Sequence, residues 1–473
     1  MAQINTQVDI NELRKCITSG GDERLEIQKN GLNKYFVDPV AYEGVLTRGT
    51  CTCSPLNPDS FKTVSETFAQ LKENPESFFE IKRLQIERLY KFLNLDPTEF
   101  DIVFAPSGTD LCYLSLLFAK MLHPDRPIMN LVTCTEELGT GSIYANQGRY
   151  FGQRTQILDH VTKGDLISPD LDIHYKSYRA RNNEGRILDH RVELKKDIHQ
   201  YKDDFEVIGN LVIGSKSGII DNLSIIKEAE HDMTWVVDLC QLRASTKLVE
   251  KLIHLNCLIM ITGSKFYQSP PFSGAMIIPK TLSAKLKKVE VVNTFGFENV
   301  FSRYDFPPGM ENISKHFPDY RNEGLLLRWE AAISEMERLL NQVSEERIME
   351  IITVWNKAII DRISESEYFD LMEDQKRTNN SIISFRVKKN GAYFTFEQLK
   401  ELHEHLTTHV PPYLKDFKKL IIGQPVSYVN HNFIRLALGS QNVRMLNDRN
   451  LDLSYDLRLL DFIEECVKTI EFQ

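Results

Sequence analysis

The chain has 473 residues, 42% of them hydrophobic and 26% charged, with a formal net charge of −9. That length exceeds one simple core and that composition reads as an ordinary globular protein in two lobes. The acidic balance excludes a nucleic-acid footprint, and no apolar run approaches the roughly 20 residues that span a bilayer, so neither nucleic acid nor a membrane is expected as a partner. Eight irregularly spaced cysteines form no disulfide framework, and the start lacks a signal-type apolar core. A reducing cytoplasm is the expected location.

Short β-rich apolar runs punctuate the first two thirds, at residues 102–104, 128–132, 207–213, 235–237, 258–261 and 275–278. Segments with helical spacing lie between them, at 111–122, 223–229 and 246–255. Strands apolar on both faces and alternating with helices predict a three-layer α/β domain around a mostly parallel sheet. We expect an N-terminal segment over 1–50 and this large domain over 51–320. A linking helix over 321–345 carries Leu325, Leu326, Trp329, Ile333 and Met336 at helical spacings. A smaller α+β domain over 346–473 reads helix, strand ("SIISFRV"), helix ("FEQLKELHEHL"), strand ("NFIRLALG"), helix.

In open α/β sheets ligands sit beyond the carboxyl ends of the strands, so the loops there are the candidates. After Phe104, "APSGTD" offers Ser107, Gly108 and Thr109 ahead of a helix beginning near Asp110, which is an anion cradle or a plain helix cap. After Ile213, "GSKSG" offers Ser215 and Ser217, or a simple turn. Asp238 ends an apolar strand, where a carboxylate must find a cationic or hydrogen-bonding partner or be protonated. After Ile261, "TGSK" brings Thr262, Ser264 and Lys265. Arg435, inside "NFIRLALG", suits bidentate capture of a carboxylate or a structural ion pair.

A phosphate cradle, a buried acid, a buried lysine and a remote arginine are together what pyridoxal 5′-phosphate demands when an amino acid is its substrate. The 27 residues from Asp238 to Lys265 (265 − 238) fit one helix and one strand returning to the same sheet edge. In these motifs the sequence resembles the fold-type I pyridoxal-phosphate enzymes, nearest to the class V aminotransferase and cysteine desulfurase group. "DLCQ" is similar to that group's Asp-x-x-Gln, which implies Asp238 at the pyridine nitrogen and Gln241 at the ring hydroxyl. "GSKFYQSPPFSG" resembles the lysine motif, with Lys265 as the Schiff-base lysine and Ser264 near the phosphate; Thr262, from its place at the strand end, is read as a further donor to an anion. "SGTD" resembles the phosphate loop, and "SKSG" falls where Ser215 would approach the ring hydroxyl. "FIRLALGS" resembles the strand whose arginine, here Arg435, takes the substrate carboxylate.

The sequence departs from the group in three places. Ser264 precedes the lysine where class V enzymes place histidine. Glu137, in "TCTEELGTGS", stands where a histidine stacks on the cofactor. Cys51 and Cys53 lie in the wrong half of the chain for a desulfurase cysteine. The resemblance implies a homodimer, with Asn322 reaching a partner's phosphate, and an enzyme acting at the Cα of an amino acid or amine. Within that class Arg435, which suggests a retained α-carboxylate, points to an aminotransferase. A lyase, decarboxylase or epimerase would use the same residues, and the odd Glu137 also admits a non-catalytic binding protein. Thr50 to Ser54 line the substrate entrance or tie the two lobes together. "HEHLTTH" places His405 and His409 four residues apart with His403 nearby, but its charged surroundings read as a solvated helix end. Cys51 and Cys53 lack a second pair, and no metal is expected.

Overall fold

The computed structural model describes residues 8–40, 43–229, 233–372, 378–428 and 431–472. The first strand, β1 (Val45–Arg48), is followed by two helices, Pro58–Glu73 and Ser77–Leu93. Seven strands then build the larger sheet: β2 (Phe100–Ala105), β3 (Ile128–Val132), β4 (Ile173–Ser177), β5 (Glu206–Val212), β6 (Thr234–Asp238), β7 (Leu258–Thr262) and β8 (Gly274–Pro279). Their order is β2-β8-β7-β6-β5-β3-β4, and only β8 runs against its neighbours.

Side-chain alternation explains why the central strands carry apolar residues on both faces. In β2, Ile102 and Phe104 enter one core while Val103 and Ala105 enter another. In β7, Ile259 and Ile261 divide from Leu258 and Met260 in the same way. Both faces are therefore covered, with the helix Leu111–Leu122 on one and the linking helix Glu323–Gln342 on the other. Asn322 caps the linking helix by accepting the Leu325 N–H at 2.9 Å.

The second sheet contains β9 (Phe369–Leu371), β10 (Ile382–Lys389), β11 (Ala392–Tyr393), β12 (Lys419–Tyr428) and β13 (His431–Ala437). β12 lies between β13 and β1, and β1 runs parallel to it, Leu46 opposite Leu420. The segment before residue 51 thus supplies a strand to the second sheet. The helices Phe396–Thr408 and Ser454–Thr469 match the expected ones, and Glu345–Ser364 continues from the linking helix.

Three features differ from the sequence reading. β4 is half-exposed at the sheet edge, so its polar residues masked it. β12 is not among the expected strands: Gly423, Gln424 and Pro425, at a register shift, break its apolar run. His403 does not share a solvated face with His405 and His409. It is buried, its ring nitrogen 3.3 Å from the Ile422 carbonyl, and burial holds its pKa down to about 4. His405 and His409 stack at 4.1 Å where the helix ends. Among the described residues no group of metal-ligating side chains converges, and no helix is long and apolar enough to cross a membrane.

Candidate active site

Strand register brings the candidate loops to one edge. Ala105 and Thr262 both pair with Gly274 of β8, Val212 pairs with Asp238, and Val132 with Asn210. The chain therefore leaves β2, β3, β5, β6 and β7 on the same side of the sheet. These loops and Arg435 of β13 enclose a cavity of about 370 Å³.

One wall is the Ser107–Gly108–Thr109 turn at the N-terminus of the helix Leu111–Leu122. The Ser107 hydroxyl accepts the N–H groups of Thr109 (3.2 Å) and Asp110 (3.3 Å) and donates to the Asp110 carboxylate at 2.5 Å. Gly108 must be glycine: a Cβ there would lie 2.9 Å from Cys240 Sγ and 3.1 Å from Thr262 Cγ2. The Ser264 hydroxyl lines the same cavity, fully buried, and has no hydrogen-bond partner among the described residues. A buried hydroxyl in that state is costly unless a ligand completes it. Thr262 differs from expectation. Its hydroxyl donates to the Cys240 carbonyl at 2.6 Å, so it braces the neighbouring loop instead of offering its proton to an anion.

Lys265 and Asp238 line this one cavity, close enough for their charges to interact. Burial pulls the lysine amine below its usual pKa, with the Cys53 thiol opposing. Burial pushes the Asp238 carboxyl up, opposed by the 2.8 Å hydrogen bond from the Cys240 N–H and by Lys265. The amine donates to the Thr52 carbonyl at 2.6 Å, so the 50–54 loop lies directly over it. That loop also ties the lobes: Thr50 Oγ1 donates to the Leu438 carbonyl (2.9 Å) and accepts from Arg243 (2.7 Å). The segment therefore lines the cavity and joins the two lobes. Cys51 lines the cavity and Cys53 is buried, burial pushing its thiol up to about 12. Position early in the chain did not keep these cysteines from the site.

Glu137 is the clearest correction. Its two oxygens accept from Ser215 Oγ (2.7 Å), the Ser217 N–H (2.7 Å) and Ser217 Oγ (2.6 Å), so the carboxylate is spent on fixing the turn after β5 and is not presented as a flat face. Ser215, consequently, gives its proton to Glu137 rather than to a ligand. Gln241 donates to the Cys51 carbonyl (3.1 Å) and accepts from Arg243 (3.1 Å). Arg435 donates to the carbonyls of Gln424 (2.7 Å) and Lys216 (3.1 Å) and to Thr52 Oγ1 (3.2 Å). No carboxylate pairs with it among the described residues, so its charge faces the cavity uncompensated.

Several contributors were not legible in the sequence. Lys216 enters beside Arg435, its amine held down to about 8 chiefly by burial. Tyr35 stands edge-on to Phe272 at 5.9 Å, and Arg24 reaches Ser107 and Thr109. Lys216 sits within the "GSKSG" turn but between the two serines singled out there, while Tyr35 and Arg24 lack a local motif, since loop position alone says nothing of such long-range contacts. Asn322 is not available to a second subunit. It is buried, donates to Gly20 O and Gln156 Oε1 at 2.8 Å each, and caps its own helix.

The cup at Gly108, the unpartnered Ser264 hydroxyl, the half-buried amine and the half-buried acid fit a phosphorylated aldehyde with a basic ring, as pyridoxal 5′-phosphate is. No protein-family model and no curated protein matches the sequence. Solved structures do match. A NifS-like protein from Rickettsia africae is 12% identical, with a TM-score of 0.54 over 89% of this chain and 99% of that one. The cystine C-S lyase C-DES is 12% identical, with a TM-score of 0.56 over 86% and 97%. Oryza sativa TDC, solved with PLP, is 12% identical, with a TM-score of 0.53 over 90% and 83%. The chain has the fold-type I architecture of these proteins.

Proposed function

We propose that the protein is a pyridoxal 5′-phosphate-dependent enzyme acting at the Cα of an amino acid or amine. One observation carries this reading: the half-buried Lys265 amine and the half-buried Asp238 carboxylate share a cavity with a turn at a helix N-terminus and an arginine that no carboxylate among the described residues pairs. When bound, the cofactor supplies an aldehyde for the amine and a ring that accepts electrons from Cα.

The chain's own groups then have defined tasks. Lys265 Nζ, its pKa lowered by burial, holds the cofactor and afterwards takes and returns the Cα proton. Asp238 is the partner that keeps the ring nitrogen protonated. Thr109 and Ser264 would offer their hydroxyls to the phosphate at a helix N-terminus, where the dipole favours an anion, on the turn that Ser107 shapes through Asp110. With the cofactor bound, Gln241 and Ser215 would approach the ring hydroxyl, Ser215 as an acceptor because its proton goes to Glu137, while Thr262 and Glu137 brace the loops that carry them and Arg435 would take the substrate carboxylate.

A retained carboxylate at Arg435 favours transamination. The same residues also suit a lyase, and C-DES, a cystine C-S lyase of this fold, is the precedent. The protein should acquire a visible absorption band with pyridoxal 5′-phosphate, and borohydride should lock the cofactor onto the peptide carrying Lys265. In a transaminase, an amino donor bleaches that band and a keto acid restores it, whereas a lyase releases its leaving group and keeps the band. A protein that stays colourless with the cofactor would refute the reading altogether.

A further inference from the structure

The N-terminal segment reaches the anion-binding turn along a built track. Arg328, wholly buried in the linking helix, donates to the carbonyls of Ile17 (2.7 Å) and Ser19 (2.8 Å), and Asn322 donates to that of Gly20. The passage is tight. Gly20 sits at φ +66°, where a Cβ would lie 1.9 Å from Asn322 Oδ1, and a Cβ on Gly324 would lie 2.5 Å from the Ser19 carbonyl oxygen.

Asp22 follows and holds Arg24 by its backbone N–H (2.9 Å), Nε (2.6 Å) and Nη2 (2.7 Å). Burial opposes the charge on Arg24, but the Asp22 carboxylate outweighs it and keeps the guanidinium firmly protonated. The guanidinium carbon sits 4.5 Å from the Phe272 ring centre and 5.0 Å from that of Phe151. Its far end donates to Ser107 Oγ (3.0 Å) and Thr109 Oγ1 (3.2 Å), and it lines the cavity. The fork is therefore fixed in direction by Asp22 and the two rings, with its far edge on the Ser107 hydroxyl that caps the turn and on the neighbouring Thr109 hydroxyl.

We propose that Arg24 is the cation that receives the cofactor's phosphate, so that this chain closes the phosphate side of its site with its own N-terminal segment. The proposal rests on the pyridoxal-phosphate reading. It gives the segment before the first strand a task, because removing its track would remove the charge from the cup.

The test compares two ligands that differ only in the phosphate. Dissociation constants of pyridoxal 5′-phosphate and of pyridoxal are measured by absorbance titration for the wild type and for Arg24→Gln, with circular dichroism as the fold control. Loss of a charge-assisted contact should weaken the phosphorylated ligand about ten- to a hundredfold and leave pyridoxal within about twofold. Equal weakening of both ligands, or of neither, would overturn the assignment. If Arg24→Gln does not fold, Arg24→Lys gives the same readout, since a point charge replaces the fork and should weaken only the phosphorylated ligand. A wild type that binds neither ligand would instead sink the cofactor reading itself.

Discussion

Lys265 Nζ donates to the carbonyl oxygen of Thr52, 213 residues earlier in the chain. Thr52 follows β1, a strand of the second sheet, whereas Lys265 follows β7 of the larger one. The amine at the sheet edge is thus positioned by the other lobe, and its depressed pKa depends on how the two lobes close over it.

Replacement of that amine should be decisive. Lys265→Ala should abolish borohydride trapping and lower turnover by about 10²–10⁴-fold, the usual contribution of a positioned proton-transfer group. An unchanged rate would remove Lys265 from the chemistry.

Arg435→Lys keeps the charge and loses the fork. For an amino acid, KM should rise about ten- to a hundredfold with a smaller change in kcat, while the corresponding amine without a carboxylate should be unaffected. Parallel losses on both substrates would mean that Arg435 serves only to hold Gln424 and Lys216.

Glu137→Gln puts an amide where three donors converge from Ser215 and Ser217. One donor then faces another, and the folded state should lose about 1–3 kcal/mol in thermal or urea unfolding. The cofactor's visible band should keep its position, because Glu137 acts on the turn. A shifted band with unchanged stability would return Glu137 to direct contact with the ring.

Asp110 gives the apo-protein a pH signature. Burial, with Asp22 adding, pushes its carboxyl from the ordinary 3.8 to about 7, while Ser107 and Arg24 pull the other way and Asp305 pushes with Asp22. Between those two values the folded chain holds a proton that the unfolded chain has lost. The stability it confers is complete below 3.8 and is lost as pH rises through about 7. That span corresponds to at most about 4 kcal/mol. Urea unfolding at pH 5 and pH 8 should show a smaller loss in Asp110→Asn than in the wild type. Equal losses would show that Asp110 is not the group responsible.

Much of the larger sheet was legible because strands buried on both faces carry apolar residues on both, so β2, β3, β5, β6, β7 and β8 are apolar runs interrupted by few polar residues such as Asp101, Asn130 and Asn210. The site candidates were legible for a related reason: parallel strands send their following loops to one edge, so Ser107, Asp238 and Lys265 could be expected to meet. β4 and β12 were hidden, one by its half-exposed edge position and the other by Gly423 and Pro425.

By itself, then, the sequence determined the alternation of apolar runs and polar strand ends, and with it the layers and the edge that binds. Only the tertiary structure decided that Glu137 spends its carboxylate on Ser215 and Ser217, that Asn322 turns inward to Gly20, and that Arg24 reaches Ser107 from 83 residues away. Periodicity reports which face of an element is buried. It carries no record of which distant donor a buried acceptor will meet, because that pairing is chosen only when the packed chain must satisfy every polar group it has taken out of water.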